Sequence, residues 1–270
     1  MSGIVTILAA VLGLMIGPVL RRAIDQVPGR QPLFSRPGHE LVPIRSWLDA
    51  EPAGTAVLVG SPDDRDDGTA EIAMRRWRAP AVDLGTAVVL AVLAHRIGWT
   101  PALPAFLVFG AALVVATVID IDHYRIPDRV VFPALAVTVP VLGAAALIDS
   151  VTGAFVAAVV GAVAYFAFLF VFFFVWPRGM GFGDVKLALI LGLHLGWAGS
   201  LVTIDGQPVH RGIEWGLQLV LMGALAGSLL GAAIGLAVLM VLGRKGAFPF
   251  GPALCLGALL AVVFSGQVLN

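Results

Sequence analysis

The sequence predicts an all-α integral membrane protein of about eight transmembrane helices, with one larger cytoplasmic loop between the first and second. Three observations carry that prediction. Apolar residues make up 59% of the chain and charged ones 13%, with a mean hydropathy of +0.96. The apolar residues gather into runs near the ~20 residues that a helix needs to cross a bilayer. Of 17 Lys and Arg, all but Arg96 and Arg211 fall on one side once those runs are threaded back and forth. A soluble globular domain is excluded by this composition. A formal charge of zero leaves no electrostatic footprint for nucleic acid. The single cysteine, Cys255, lies in an apolar run and reads as a small core residue. One thiol can build neither a disulfide framework nor a thiolate metal site within one chain.

Residues 3–20 form the first run. No basic residue precedes it, whereas Arg21 and Arg22 follow at once, the reverse of a cleavable secretory signal. The expectation is an uncleaved helix with its N-terminus outside. Residues 21–80 form the loop, rich in Pro, Gly and Arg. Its acidic cluster, Asp63, Asp64, Asp66 and Asp67, reads as a solvated turn. Thr55 to Val59 reads as a short strand.

The remaining runs are 81–98, 102–119, 130–149, 153–176, 185–203, 215–243 and 248–268. Lys and Arg are retained on the cytoplasmic side of a bacterial-type plasma membrane, so their bias sets the orientation. Both termini are then outside, and Asp120 and Asp184 share the cytoplasmic face. The outer segment 204–213 is short and polar, with no motif. In the seventh run Gly223, Gly227, Gly231 and Gly235 recur every four residues. They form one row on a helix face, where a neighbouring backbone approaches closely. That run is longer than a bilayer requires, so it tilts or extends beyond the lipid.

The chemistry concentrates at two places. The third run ends in Val118-Ile119-Asp120-Ile121-Asp122-His123-Tyr124-Arg125-Ile126-Pro127-Asp128. Pro127 opens the next segment, with Asp128 as its cap. Asp122, two positions from Asp120, cannot share its helix face. The sixth run is introduced by Gly179-Met180-Gly181-Phe182-Gly183-Asp184-Val185-Lys186. Alternating glycines permit a tight bend and a close backbone approach. Acidic side chains at the edge of lipid are costly and mark functional sites, although an N-capping aspartate is the plainer account of Asp184 alone.

Asp120 and Asp184 lie at equal depth on two helices. A pair of facing carboxylates shares one proton, because like charges that close do not both ionise easily. One member then activates water while the other protonates a leaving group, the minimum apparatus for amide hydrolysis without a covalent intermediate. By its own helix dipole, Asp120 at a C-terminus is the protonated member and Asp184 at an N-terminus the ionised one. No serine lies in a nucleophile-elbow context and the five histidines lack HExxH spacing. His194, in mid-span, reads as a helix-to-helix hydrogen bond.

These residues resemble a known family. Gly181-Phe182-Gly183-Asp184 with Val185, Lys186 and Leu187 is similar to the GxGD-x-K-L signature of the type IV prepilin peptidases, which are intramembrane aspartyl proteases. Asp120 with Pro127 seven residues later resembles their first aspartate motif, and Phe248-Pro249-Phe250-Gly251-Pro252 their PFGP motif. The resemblance covers residues 80–270, which divides the chain into 1–80 and a peptidase domain, 81–270. It implies that Asp120 and Asp184 are catalytic and that Gly181, Gly183, Lys186, Pro127, Asp128, Pro249, Gly251 and Pro252 shape the loops or the substrate site. Lys186 is expected to meet a substrate carboxylate or a lipid phosphate, or to snorkel. The implied partners are prepilin or pseudopilin precursors, whose short basic leader is cut on the cytoplasmic side, together with the lipid bilayer.

The first third departs from the family. Gly13 to Pro28 and Pro43-Ile44-Arg45-Ser46-Trp47-Leu48 resemble its opening helix and its PxxSWL segment. Of the two CxxC pairs that hold zinc in the bacterial family, the first would fall at Ser35-Arg36-Pro37-Gly38-His39, which has no cysteine, and no second pair follows. No zinc is therefore expected. The peptidase needs no cofactor, and S-adenosylmethionine is implied only where N-methylation of the new terminus is retained. The competing reading is a non-catalytic transporter or assembly subunit whose acidic pair binds a proton or a cation. It would call for inverted repeats or helices broken at mid-membrane, and the sequence has neither.

Overall fold

The computed structural model describes residues 2–25, 65–175, 180–201, 209–242 and 249–268. They form eight helices at the eight predicted runs: α1 (Ser2–Asp25), α2 (Arg65–Ile97), α3 (Leu103–His123), α4 (Asp128–Ile148), α5 (Thr152–Val175), α6 (Phe182–Leu201), α7 (Val209–Leu242) and α8 (Gly251–Val268). Six of them are long and apolar enough to cross a membrane by length and composition. In α8 the apolar stretch is shorter, Gly251–Ser265. Asp184, Lys186 and His194 dilute the hydropathy of α6, which its neighbours enclose.

The largest departure from the predicted boundaries is at α2. The loop expected over 21–80 gives way to helix at Arg65, and α2 runs on through Pro80 to Ile97. Residues 69–78 contain mostly helix-forming Ala, Glu, Met and Arg, but their charge hides them from an apolar-run criterion. The predicted acidic turn is corrected in part, since Asp66 and Asp67 belong to the first turn of α2. Asp63, Asp64, the predicted strand and the segments resembling the family's zinc and PxxSWL regions lie outside the described residues. Similarly, α7 begins at Val209, inside the predicted outer loop, and its 34 residues correspond to about 50 Å of helix.

Helix α6 is the axis of the bundle. Every residue from Ile190 to Ser200 is buried, and α5, α7, α8, α4 and α3 all pack against it. A helix apolar on all sides belongs at such a position. Close approach there depends on absent side chains. A methyl group at Gly192 would strike the carbonyl oxygen of Gly161 on α5. The predicted glycine row also packs: Gly223 meets Leu195 of α6, and Gly227 and Gly231 meet Leu254 and Phe250 beside α8.

Helix α1 lies against α2, where Arg21 Nη2 pairs with Asp83 Oδ2 at 3.0 Å. Asp83 falls inside the second apolar run, and Arg21 is the partner that permits it there. At the opposite end of the bundle Arg96 donates to Ser265 Oγ at 2.7 Å, joining the C-terminal ends of α2 and α8. His194 bonds the Ile190 carbonyl of its own helix at 2.8 Å. Across helices its ring stacks on Phe109 of α3 at 4.1 Å and faces the Ala105 backbone of the same helix.

Candidate active site

Three helix ends meet where Asp120 and Asp184 lie. Helix α3 continues past the predicted end at residue 119 to His123, so Asp120 occupies its last turn and is only 4% exposed. Pro127 holds Ile126 away from helical geometry, so α3 cannot run straight into α4. The chain turns instead through Tyr124 in the left-handed region, φ 51°, whose N–H donates to the Asp120 carbonyl at 2.8 Å.

Asp184 is the third residue of α6 and 7% exposed. It is not the N-cap. Its carboxylate reaches back to the backbone of Gly181, the residue before the helix, in the manner of a capping box. The third end belongs to α8. The N–H of Gly251, its first residue, donates to Asp120 Oδ2 at 2.9 Å. The first-turn N–H groups of a helix lack intrahelical acceptors and carry its positive dipole end, which makes them suited to a carboxylate. Each acid therefore faces one helix N-terminus. The asymmetry expected from each acid's own helix is offset at Asp120 by α8, an arrangement that sequence distance concealed.

The two carboxylates are near enough for their charges to repel. Ile126 is wedged beside them. A methyl at Gly183 would come within 3.2 Å of the Ile126 backbone, and one at Gly251 within 3.0 Å of its Cδ1 and 2.8 Å of Asp120 Oδ2. Glycine at both positions lets α3, α6 and α8 close around the acids. Pro252 follows in the first turn of α8, where a missing N–H costs nothing, and Pro249 stands half-buried just ahead of that helix.

One expectation needs correction. Pro127, in extended geometry, is the N-cap of α4, and Asp128 makes no capping hydrogen bond. Its Oδ1 instead pairs with Lys186 Nζ at 2.6 Å, and that ammonium also sits 5.0 Å from the centre of the Phe182 ring. Lys186 is thus tied to its own chain across α4 and α6, with its ammonium over the rings of Phe132 and Phe182.

Sequence reasoning missed a polar layer one turn inward from the acids. Thr117 hydrogen-bonds the Cys255 thiol, and Cys255 feels the charge of both aspartates. Tyr165 of α5 is within electrostatic reach of Asp184 and Cys255. Tyr165 had a visible signal, being one of two tyrosines in the chain and a polar group within an otherwise apolar run. Beside this layer lies a cavity of about 570 Å³ between α2, α3 and α8, lined by Gly85, Val89, Leu113, Thr117, Pro252 and Cys255 among others, and almost wholly apolar.

The zinc that the resemblance associates with the first third finds no thiolates here, because the chain's one cysteine, Cys255, is buried on α8. Comparison with known proteins bears on the remainder. The sequence profile of the type IV leader peptidase family matches residues 107–227, a stretch that includes both aspartates. A prepilin leader peptidase/N-methyltransferase of Bacillus subtilis (strain 168) is 30% identical over 191 residues, covering 71% of this chain and 68% of the relative. One from Stutzerimonas stutzeri is 28% identical over 229 residues, covering 73% and 75%. One from Neisseria gonorrhoeae is 28% identical over 282 residues, covering 92% and 86%. No solved structure matches the chain. With an all-helical, membrane-spanning architecture and these relatives, the chain belongs to the type IV leader peptidase family.

Proposed function

We propose that Asp120 and Asp184 are the catalytic pair of an endopeptidase that removes the short basic leader from prepilin or pseudopilin precursors at the cytoplasmic face. The observation that carries this reading is the meeting of two buried carboxylates from different helices, each met by backbone from a helix N-terminus. No structural role calls for two like charges to be buried together, and separation would be cheaper. A proton shared between them removes the cost and equips the pair for hydrolysis.

In the reaction the ionised acid takes a proton from water, whose oxygen attacks the scissile carbonyl carbon. The carbonyl π pair moves onto its oxygen, which takes the proton of the other acid. When the C–N bond breaks, the leaving nitrogen takes the first proton, and the new carboxylic acid returns the second. Gly183 and Gly251 keep the three helix ends close and Gly181 leads into α6, while Pro127, Pro249 and Pro252 set the turns into α4 and α8. The apolar cavity lies against Thr117 and Pro252, neighbours of Asp120 and Gly251. It receives the apolar stem that follows the leader, whose length and hydropathy match a membrane environment. The basic leader lies outside the lipid, on the side where this chain concentrates its arginines. Residues 81–270 carry this chemistry.

The test is cleavage of a precursor with a basic leader ending in glycine and an apolar stem, by the full chain in lipid nanodiscs. Asp120→Asn and Asp184→Asn are each expected to abolish product while leaving the protein inserted and folded. Continued cleavage by either variant would refute the pair.

A further inference from the structure

Tyr165 occupies an unusual position for a tyrosine. It is 0% exposed in the middle of α5, and its hydroxyl has no hydrogen-bond partner among the described residues. A buried phenol normally finds one, because leaving the O–H unpaired forfeits the water it gave up. Packing explains the ring but not the oxygen, since phenylalanine would fill the same space.

The helix register places that oxygen. Helices α5 and α6 are antiparallel and meet at Gly161–Gly192 and at Ala157–Gly196. Four residues along each helix from the first contact bring Tyr165 level with Ala188, one turn inward from Asp184. On α8, Cys255 lies one turn inward from Gly251, and on α3, Thr117 lies one turn inward from Asp120. One turn is about 5.4 Å, so Thr117, Tyr165 and Cys255 form a floor under the two acids. The cavity between α2, α3 and α8 touches that floor through Thr117 and Cys255. A peptide entering from the cavity and reaching the acids therefore passes over it.

We propose that Tyr165 is a third catalytic group, whose hydroxyl donates a hydrogen bond to the oxygen of the scissile carbonyl as negative charge develops there. The inference rests on the peptidase reading. A donor left unpaired in the resting protein has no bond to give up when charge appears, and in a water-poor site it acts at full strength. In the addition step the carbonyl π pair moves onto this oxygen. Tyr165 stabilises that charge until the protonated acid delivers its proton, and again when the carbonyl reforms and the C–N bond breaks. The phenol keeps its own proton throughout.

Tyr165→Phe removes this one oxygen and nothing else. With the full chain in nanodiscs and a synthetic precursor peptide, kcat should fall on the order of 100-fold, as for loss of a single oxyanion donor, with KM within about twofold. The thermal midpoint should stay level or rise, because an unpaired buried hydroxyl has been deleted. That combination separates catalysis from packing. Unchanged kcat would overturn the proposal, and so would a lowered midpoint, which would mean that the hydroxyl is bonded at rest. Wild-type and Asp184→Asn proteins are run alongside. Cleavage by wild type, none by Asp184→Asn and wild-type rates for Tyr165→Phe would refute this inference alone. Absence of cleavage by wild type would refute the peptidase reading, and this inference with it.

Discussion

Gly251 shows how little room the proposed catalytic acid Asp120 has. Its N–H holds Asp120 Oδ2 at 2.9 Å, while a methyl group at the same residue would stand 2.8 Å from that oxygen. Bond and side chain are incompatible, so Gly251→Ala must move either the carboxylate or the start of α8. A displacement near 1 Å at a reacting group costs about 100-fold in rate. The expected outcome is processing reduced by about that factor at unchanged expression, read by the initial rate of leader removal. A wild-type rate would mean that Asp120 does not depend on α8. Lys186 and Asp128 present the opposite case. They are close, but Asp128 is more than half exposed, so water and salt screen the pair. Its contribution is below about 1 kcal/mol, and its use is to hold α4 beside the start of α6.

Between elements, the contact of α5 with α6 governs the placement of both Asp184 and Tyr165. Gly192 meets the Gly161 carbonyl without room for any side chain. Gly192→Val therefore overpacks the seam, with an expected loss of about 1–3 kcal/mol, visible as a lowered thermal midpoint after extraction. Unchanged stability would show that the helices separate freely at that level. Element boundaries were legible wherever the apolar run and the helix ended together, as for α4 and α5. They were not legible where helix persisted through charge. The first turns of α2 are helical though polar, and Asp120 is helical because Tyr124, not the first carboxylate, ends α3. An apolar-run criterion reports the lipid boundary, whereas the helix ends where backbone geometry changes.

For the whole molecule, the cavity formed by α2, α3 and α8 is the feature that no single element contains. Gly85 lines it, and a methyl group added there would meet no atom within 4 Å. Gly85→Leu should therefore fold as well as wild type, since leucine is the better helix former, yet occupy the space proposed for the precursor's stem. The expected result is a KM raised at least several-fold with kcat nearly unchanged, measured with a stem-containing substrate. An unaltered KM would assign the cavity to lipid.

The membrane class, the helix count and the candidacy of the two aspartates were already legible in one dimension. Hydropathy, charge bias and the glycine-aspartate spacing are local properties, and each is complete within a few tens of residues. The enclosed axis of α6, the N–H that α8 lends to Asp120 across 131 positions, the pairing of Lys186 with Asp128 and the unpartnered hydroxyl of Tyr165 were decided only by packing. They depend on which helix faces which, and that choice is made by steric fit between glycines and side chains far apart in the chain. No local pattern encodes it.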